Sequence, residues 1–156
     1  MGEDIFKYLI GNWKGKGIAT YPTITPTEYI DELKFSYNDI ETALGFEHKT
    51  WNIEDDRKGK PMSWEIGFII KKENDEFGIS MASKGGRLES LNGKIFLKDE
   101  LYYLALNSNG LLNDEKTTKT SRELWFDNKN LRYRLSISTK TIPDLVQHFE
   151  SVLTKV

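Results

Sequence analysis

The chain has 156 residues, with 22 Lys and Arg against 24 Asp and Glu, so its formal net charge at pH 7 is -2. A chain this close to neutrality lacks the positive field that attracts nucleic acid or anionic lipid, and we expect neither as a partner. The absence of Cys excludes a disulfide framework and a Cys-ligated metal. No apolar run approaches the ~18 residues of a membrane-spanning helix, and the first residues are acidic where a secretory leader is basic. We therefore expect a cytoplasmic protein that folds as one domain over residues 1–156.

A short helix is predicted at the start of the chain, from Glu3 to Ile10. Ile5, Tyr8 and Leu9 recur at steps of three and four residues, so they share one helical stripe. We expect this amphipathic turn to plug one end of the fold.

The stretch GNWKGKG at residues 11–17 predicts a bent first strand. Its glycines allow the strand to bend and to lie close to a neighbouring backbone, and Trp13 is predicted to close the floor of the fold. Pro22 follows this strand and keeps the chain extended, because its ring cannot continue a helix. Trp13 and Trp51 are both predicted to fill the core, since aromatic side chains supply much of the area that a small β-protein buries.

From Trp13 onward the apolar period changes to two, which is typical of strands with one buried face. The alternation is clearest over residues 33–37 and 131–138. Turn signals separate the segments at spacings of roughly eight to fourteen residues, and Asn92-Gly93 is the strongest hairpin signal among them. The other predicted turns lie at residues 38–39, 55–61, 74–75, 84–86, 98–99, 107–110 and 127–130.

About eight to ten antiparallel strands in one unit form either a sandwich or a barrel. We favour an up-and-down barrel, because closure removes both exposed edges and leaves room for side chains or one small ligand. The bendable first strand and the predicted floor both support closure.

The motif Gly-x-Trp-x-Gly-x-Gly at residues 11–17, followed by Tyr-Pro-Thr-Ile at residues 21–24, resembles the nitrobindins. These are fatty-acid-binding-protein-like haem barrels related to the C-terminal domain of a human THAP-family protein. Similar segments follow in the family's order as far as Gln147-His148-Phe149-Glu150, so the resemblance spans nearly the whole chain. It implies an all-β fold, an antiparallel up-and-down β-barrel of ten strands that is lipocalin-like and carries a short N-terminal helix. It also implies haem b bound near the mouth of that barrel.

The resemblance further implies which residues form the site. A histidine close to the C-terminus, His148 here, is expected to be the axial ligand of the ferric haem iron. Thr23 of the Tyr-Pro-Thr motif is expected to lie against the haem, and Lys116 is the nearest match to a lysine that contacts haem in some relatives. Family members bind nitric oxide and isomerise peroxynitrite to nitrate, so no catalytic group beyond the haem iron is expected.

Two segments depart from the family pattern. Met62-Ser63-Trp64 stands where relatives commonly carry a histidine, and Gly85-Gly86 stands in place of a Thr-Gly pair. Both segments are expected to line the pocket, so they bear on haem affinity and on the side of the haem opposite His148. Trp64 is the residue expected to narrow the pocket.

Each candidate residue also has a simpler interpretation. A lone histidine at a strand start, such as His148, is ordinarily a surface residue, and the Thr23 segment can be a plain connector. His48 is either an inward residue near the pocket or a core-edge histidine with satisfied hydrogen bonds, and we prefer the second. Two histidines far apart in sequence, without a third ligand, form no zinc site. Acidic pairs such as Asp31-Glu32 point to opposite faces of a strand and form no catalytic dyad.

The sequence thus supports two main hypotheses of function. The first is a haem-binding barrel whose small-molecule ligands are nitric oxide and peroxynitrite. The second is a non-haem carrier of a fatty acid or another small apolar ligand, in which Lys or Arg pairs with a carboxylate and His148 is idle. A filled barrel that acts as an interaction module is a third and weaker hypothesis. We expect a monomer or a homodimer.

Overall fold

The structure is a computed structural model that describes residues 5–37 and 43–156. The turn predicted at residues 38–39 lies outside these described residues. One helical turn, α1 (Phe6–Leu9), comes first and a set of long strands follows it. Within the described residues the strands are β1 (Gly11–Ala19), β2 (Thr27–Ser36), β3 (Ala43–Glu54), β4 (Arg57–Lys71), β5 (Glu76–Ser83), β6 (Leu88–Lys98), β7 (Leu101–Leu112), β8 (Thr117–Phe126), β9 (Asn130–Thr139) and β10 (Val146–Lys155).

The strands close into one antiparallel barrel. Each strand pairs with the next along the chain, and β1 pairs with β2 on one side and with β10 on the other. Trp13 in β1, for example, lies opposite Leu33 in β2 and Lys155 in β10. Every strand therefore has a hydrogen-bonded neighbour at both edges, which removes the exposed edges of an open sheet. This confirms the predicted all-β, up-and-down barrel of ten strands with a short N-terminal helix.

The N-terminal turn closes one end of the barrel. Phe6 and Leu9 of α1 are buried in the barrel core, and the ring of Phe6 packs edge-on against Phe77 with 6.0 Å between centroids. Trp13 is fully buried, and its indole Nε1 donates a hydrogen bond of 2.8 Å to the carbonyl oxygen of Leu9. The predictions of a plug and of a tryptophan floor are therefore confirmed. The described helix is shorter than predicted, because the backbone is already extended at Ile10.

The glycines of the first strand make room for their neighbours. A Cβ at Gly15 would lie 1.9 Å from the carbonyl oxygen of Val152 in β10, and one at Gly17 would lie 2.4 Å from the Tyr29 hydroxyl. No side chain fits at such distances, so these positions require glycine. The motif at residues 11–17 therefore serves the close packing of β1, as the sequence indicated.

Two predicted turns are wrong, and the turn predicted at 55–61 is confined to Asp55 and Asp56, because residues 57–61 belong to β4. Asn92-Gly93 lies in the middle of β6, where a Cβ on Gly93 would be 1.7 Å from the carbonyl oxygen of Ala105. The glycine there permits two strands to approach closely and does not form a turn. The hairpin that follows β6 turns instead at Asp99 and Glu100, both of which have positive φ. The turn predicted at 107–110 is likewise absent, because β7 continues to Leu112.

Trp51 does not fill the core as predicted. Thr50 is its inward neighbour and is buried, so the pleat of β3 directs Trp51 to the outer surface. There the ammonium of Lys58 lies 4.0 Å from the centre of the indole ring.

Among the described residues, no helix is long and apolar enough to cross a membrane.

Candidate functional site

A cavity of about 380 Å³ opens at the end of the barrel opposite α1. This volume lies within the range of roughly 300 to 1,000 Å³ that is usual for small-molecule sites. Apolar side chains, among them Leu135, Ile137 and Phe149, form part of its wall. Lys84 and Arg87 lie among its lining residues and supply positive charge at the mouth. The polar side chains His48, Thr50, Ser63, Glu65 and Tyr133 also line it.

Below the cavity, the guanidinium of Arg122 is held between two carboxylates. Nη1 and Nη2 donate to the two oxygens of Glu65 at 3.1 and 2.8 Å, while Nε and Nη2 donate to Glu89 at 2.8 and 3.0 Å. Nη1 donates a second hydrogen bond to the hydroxyl oxygen of Tyr133. A guanidinium has five N–H donors, and every one is used here. Arg122, which is 2% exposed, therefore has no donor left for a ligand.

His48 continues this buried network. Its Nε2 lies 2.6 Å from Oδ1 of Asp31, and its Nδ1 lies 3.3 Å from Oε1 of Glu65. An ionised carboxylate only accepts hydrogen bonds, so both ring nitrogens carry protons and the imidazole is a cation. Burial opposes this charge, but the carboxylates of Asp31 and Glu65 raise the pKa of His48 to about 10. The preferred prediction of a histidine with satisfied hydrogen bonds is confirmed, and the same residue also borders the cavity.

The charges extend from the interior to the mouth. Burial alone would raise the pKa of Glu65, but Arg122 and His48 hold it well below its ordinary value. Oε2 of Glu89 also accepts a hydrogen bond of 2.8 Å from the Thr120 hydroxyl. Oε1 of Glu89 lies 3.3 Å from Nη2 of Arg87. The groups alternate in sign in the order Asp31, His48, Glu65, Arg122, Glu89, Arg87 and Asp114. We call this set of seven residues the interior charge chain.

The interior charge chain was not predicted. Asp31 and Glu32 were expected to point to opposite faces of a strand, but the inward residue was not assigned a partner inside the barrel. The available signal was strand alternation: Asp31 stands two positions from the buried Tyr29 and Leu33, and Arg122 stands two positions from the buried Leu124. A charge at an inward position predicts a partner at another inward position, but sequence alone does not say which one.

His148 lies at the mouth, on an irregularity of β10. Gln147 and Phe149 pair with adjacent residues of β9, so His148 is the extra residue of a β-bulge. Its ring is half-buried against the ring of Tyr21, with 5.3 Å between centroids, while Phe149 lines the cavity. The backbone N–H of Thr20 donates a bond of 2.8 Å to the carbonyl oxygen of His148. The structure therefore brings the segment before Pro22 together with the predicted ligand.

The other two predicted site residues lie in exposed connections. Thr23 is in the turn closed by the 3.1 Å bond from the N–H of Ile24 to the carbonyl oxygen of Tyr21. Lys116 is in the connection between β7 and β8, where its carbonyl oxygen accepts a bond of 3.0 Å from the N–H of Lys140. Like His148, neither side chain is among those that line the described cavity. Their contacts with a ligand stay predictions.

The two segments that depart from the family pattern do border the cavity. Met62, Ser63, Trp64 and Gly85 are all lining residues. The hydroxyl of Ser63 lies 2.5 Å from that of Thr50, so this chain has a pair of hydroxyls near the position where relatives commonly have a histidine. The side chain of Trp64 points outward. Its indole N–H donates a hydrogen bond of 2.8 Å to the carboxylate of Glu47 on the outer face of the barrel. It therefore forms part of the rim.

The residues at the mouth fit haem. Burial lowers the pKa of His148, so its imidazole is neutral near pH 7 and retains a lone pair for iron. The apolar wall suits a porphyrin, and the Lys84 ammonium suits one of its carboxylates, whereas Arg87 is already paired with Glu89 and Asp114. The described residues contain no group of three or more His, Asp or Glu side chains that could hold a metal ion by themselves.

Known proteins share this architecture. The profile of the family described as THAP4-like, heme-binding beta-barrel domain matches residues 5–155. An Arabidopsis thaliana protein named as a peroxynitrite isomerase is 30% identical over 149 residues, covering 96% of this chain and 86% of that protein. Peroxynitrite isomerase 2 of Mycobacterium bovis is 30% identical over 152 residues, covering 93% of this chain and 89% of that protein.

A solved structure agrees with these sequence relatives. The crystal structure of Rv2717c from M. tuberculosis matches with a TM-score of 0.85 at 25% identity, and the match covers 97% of this chain and 94% of that chain. The closed barrel, the mouth cavity and a profile match over nearly the entire chain lead to the same assignment. The chain belongs to the family of THAP4-like haem-binding β-barrel domains.

Proposed function

We propose that this protein binds haem b at the mouth of its barrel with His148 as the axial iron ligand, binds nitric oxide there, and isomerises peroxynitrite to nitrate. The observation that carries the proposal is the position of His148, a neutral imidazole on a β-bulge next to Phe149, which lines the cavity. The names of the relatives from Arabidopsis and Mycobacterium support the activity.

The bulge explains how a strand residue can serve as a ligand. In a regular strand, neighbouring side chains point to opposite faces, so a residue next to the inward Phe149 would point away from the cavity. The extra residue in β10 breaks this alternation and lets His148 and Phe149 pack against the same ring, that of Tyr21. The strand can thus present an imidazole and an apolar wall together.

The protein's own groups would hold the ligand and exclude water. Leu135 and Phe149 would present apolar surface to a porphyrin, and Lys84 would compensate part of the charge of its propionates. Thr23 and Lys116 are proposed to contact the macrocycle edge from the two connections that flank the mouth. Bound haem would supply a Lewis-acidic iron with one open coordination position for a small ligand. No described side chain needs to exchange a proton, since peroxynitrite and nitrate have the same atoms and charge.

The carrier hypothesis keeps Lys84 at the mouth as a cation for a carboxylate, but its interior candidate is engaged. Interior arginine is the group expected to bind the carboxylate of a fatty acid within such a barrel. Arg122 is the interior candidate, but all of its donors are engaged by Glu65, Glu89 and Tyr133. A fatty acid would have to displace a buried carboxylate to reach it, which is costly.

The test is a titration of the purified protein with hemin, followed by the visible spectrum. The wild type is expected to give a saturable, shifted Soret band, and His148→Ala is expected to lose that band or to bind with at least tenfold lower affinity. Gln147→Ala is the matched control, because Gln147 is the preceding residue and bonds to Glu150 on the outer face. An identical titration for wild type and His148→Ala contradicts the proposed ligand.

A further inference from the structure

The ring of His148 has an unusual environment for a proposed metal ligand. Histidines that bind metals ordinarily donate from their second nitrogen to a carboxylate, a carbonyl or a water, and this bond fixes the orientation of the ring. Among the described residues, neither ring nitrogen of His148 makes a hydrogen bond. Within the described residues, the orientation of the imidazole therefore depends on side-chain packing and not on a hydrogen bond to a protein group.

Tyr21 is the residue that packs most closely on this imidazole. The two rings lie 5.3 Å apart between centroids and 30° from parallel. Tyr21 also packs on Phe149 at 5.5 Å, and Phe149 in turn meets Tyr29 edge-on at 5.7 Å. Tyr21 and Phe149 thus link the imidazole to Tyr29 on the buried face of β2.

The backbone next to Tyr21 fixes the bulge on which His148 stands. The Thr20 N–H donates to the carbonyl oxygen of His148 at 2.8 Å, and the Thr20 hydroxyl donates to that of Gln147 at 3.3 Å. Pro22 follows directly and restricts the backbone of Tyr21 to extended conformations. The segment from Thr20 to Pro22 therefore restrains both the backbone and the ring of His148.

We infer that Tyr21 is a positioning residue, whose ring holds the imidazole of His148 in the orientation that binds iron. The inference rests on the proposed function, because it assigns a task to Tyr21 only if His148 is the ligand. The aromatic face does the positioning, since the Tyr21 hydroxyl makes no described hydrogen bond. A phenylalanine at position 21 should therefore keep the imidazole of His148 oriented and hemin binding intact. An alanine there should not.

Hemin binding to Tyr21→Ala, Tyr21→Phe, His148→Ala and wild type tests this inference. Loss of an orienting partner ordinarily lowers metal affinity by roughly 10- to 100-fold, so we expect Tyr21→Ala to bind hemin about tenfold more weakly. Tyr21→Phe is expected to remain within about twofold of wild type. Tyr37→Ala is the matched control, because Tyr37 is 41% exposed and follows β2 at the opposite end of the barrel.

A second measurement on the haem-free protein separates positioning from general damage. Nuclear Overhauser contacts between the rings of Tyr21 and His148 should be strong in wild type, and the side-chain couplings of His148 should report one dominant rotamer. In Tyr21→Ala these couplings should average over several rotamers while the melting temperature stays close to that of wild type. In Tyr21→Phe they should match wild type.

The outcomes distinguish this inference from the proposed function. Weak binding by both His148→Ala and Tyr21→Ala, with recovery in Tyr21→Phe, supports it. Weak binding by His148→Ala together with normal binding by Tyr21→Ala overturns the role of Tyr21 and leaves the ligand proposal standing. Normal binding by His148→Ala overturns both.

Discussion

Replacement of Arg122 by methionine should sharply destabilise the barrel. Arg122 is 2% exposed and neutralises two buried carboxylates, those of Glu65 and Glu89, which are 7% and 3% exposed. Methionine has a similar volume, so the change removes the charge and the donors while leaving little cavity. Both carboxylates would then remain buried with less compensation than in wild type.

The magnitude follows from the cost of an uncompensated buried charge. Breaking a buried ion pair by removal of one partner costs about 3–5 kcal/mol. Domains of this size are stable by only about 5–15 kcal/mol, so the variant should lose a large part of its free energy of unfolding. We expect a loss of about 3–5 kcal/mol, measured by urea denaturation at pH 7 with fluorescence detection.

Two comparisons make this prediction refutable. Arg132→Met removes a cation whose side chain is 45% exposed and which packs on Trp125 outside the barrel, so it should cost at most about 1 kcal/mol. The triple variant Glu65→Gln, Glu89→Gln, Arg122→Met removes the charges together and should recover part of the loss. If Arg122→Met alone falls within about 1 kcal/mol of wild type, the interior charge chain is not the stabilising network described above.

Two further predictions concern pH and packing. The pKa of His48 is raised to about 10, so the stability from its charge is complete below its ordinary value of 6.5 and is lost as the pH rises toward 10. The urea midpoint of the wild type should fall over that pH interval. A midpoint that does not change with pH would contradict an imidazolium that donates hydrogen bonds to both Asp31 and Glu65. Gly17→Ala should cost about 1–3 kcal/mol, because its Cβ would lie 2.4 Å from the Tyr29 hydroxyl. Gly85→Ala, whose nearest atom is 4.0 Å away, should be near neutral, and equal urea midpoints for the two variants would refute the packing argument.

Much of the fold could be predicted because it depends on local patterns. The period-two alternation of β9 and the pair at positions 74–75 mark a strand and a turn correctly, while the predictions at 55–61 and 98–99 locate their turns only in part. Asn92-Gly93 failed because the same dipeptide suits both a tight turn and a close approach of two backbones. Only the position of Ala105 across the sheet decides between them, and that is a non-local fact.

The site was predictable only in part, for a related reason. His148 was identified by its resemblance to a family pattern, and its role as the iron ligand stays a prediction. The partnership of Asp31, His48, Glu65 and Arg122 joins four strands across the barrel interior, and no sequence spacing encodes it. Trp51 was misassigned because its hydrophobicity suggests burial, while the pleat of β3 turns it outward. The cytoplasmic location and the choice between monomer and homodimer stay predictions.

The most direct test of the central claim is the iron–histidine vibration of the hemin-loaded, reduced protein. The chain has two histidines, and His48 is engaged on both nitrogens by carboxylates, so an iron-bound imidazole must come from His148. Resonance Raman spectra should show an iron–nitrogen stretching band that shifts when the protein is labelled with ¹⁵N-histidine and disappears in His148→Ala. A band that is absent, that ignores the label, or that persists in His148→Ala would contradict the account.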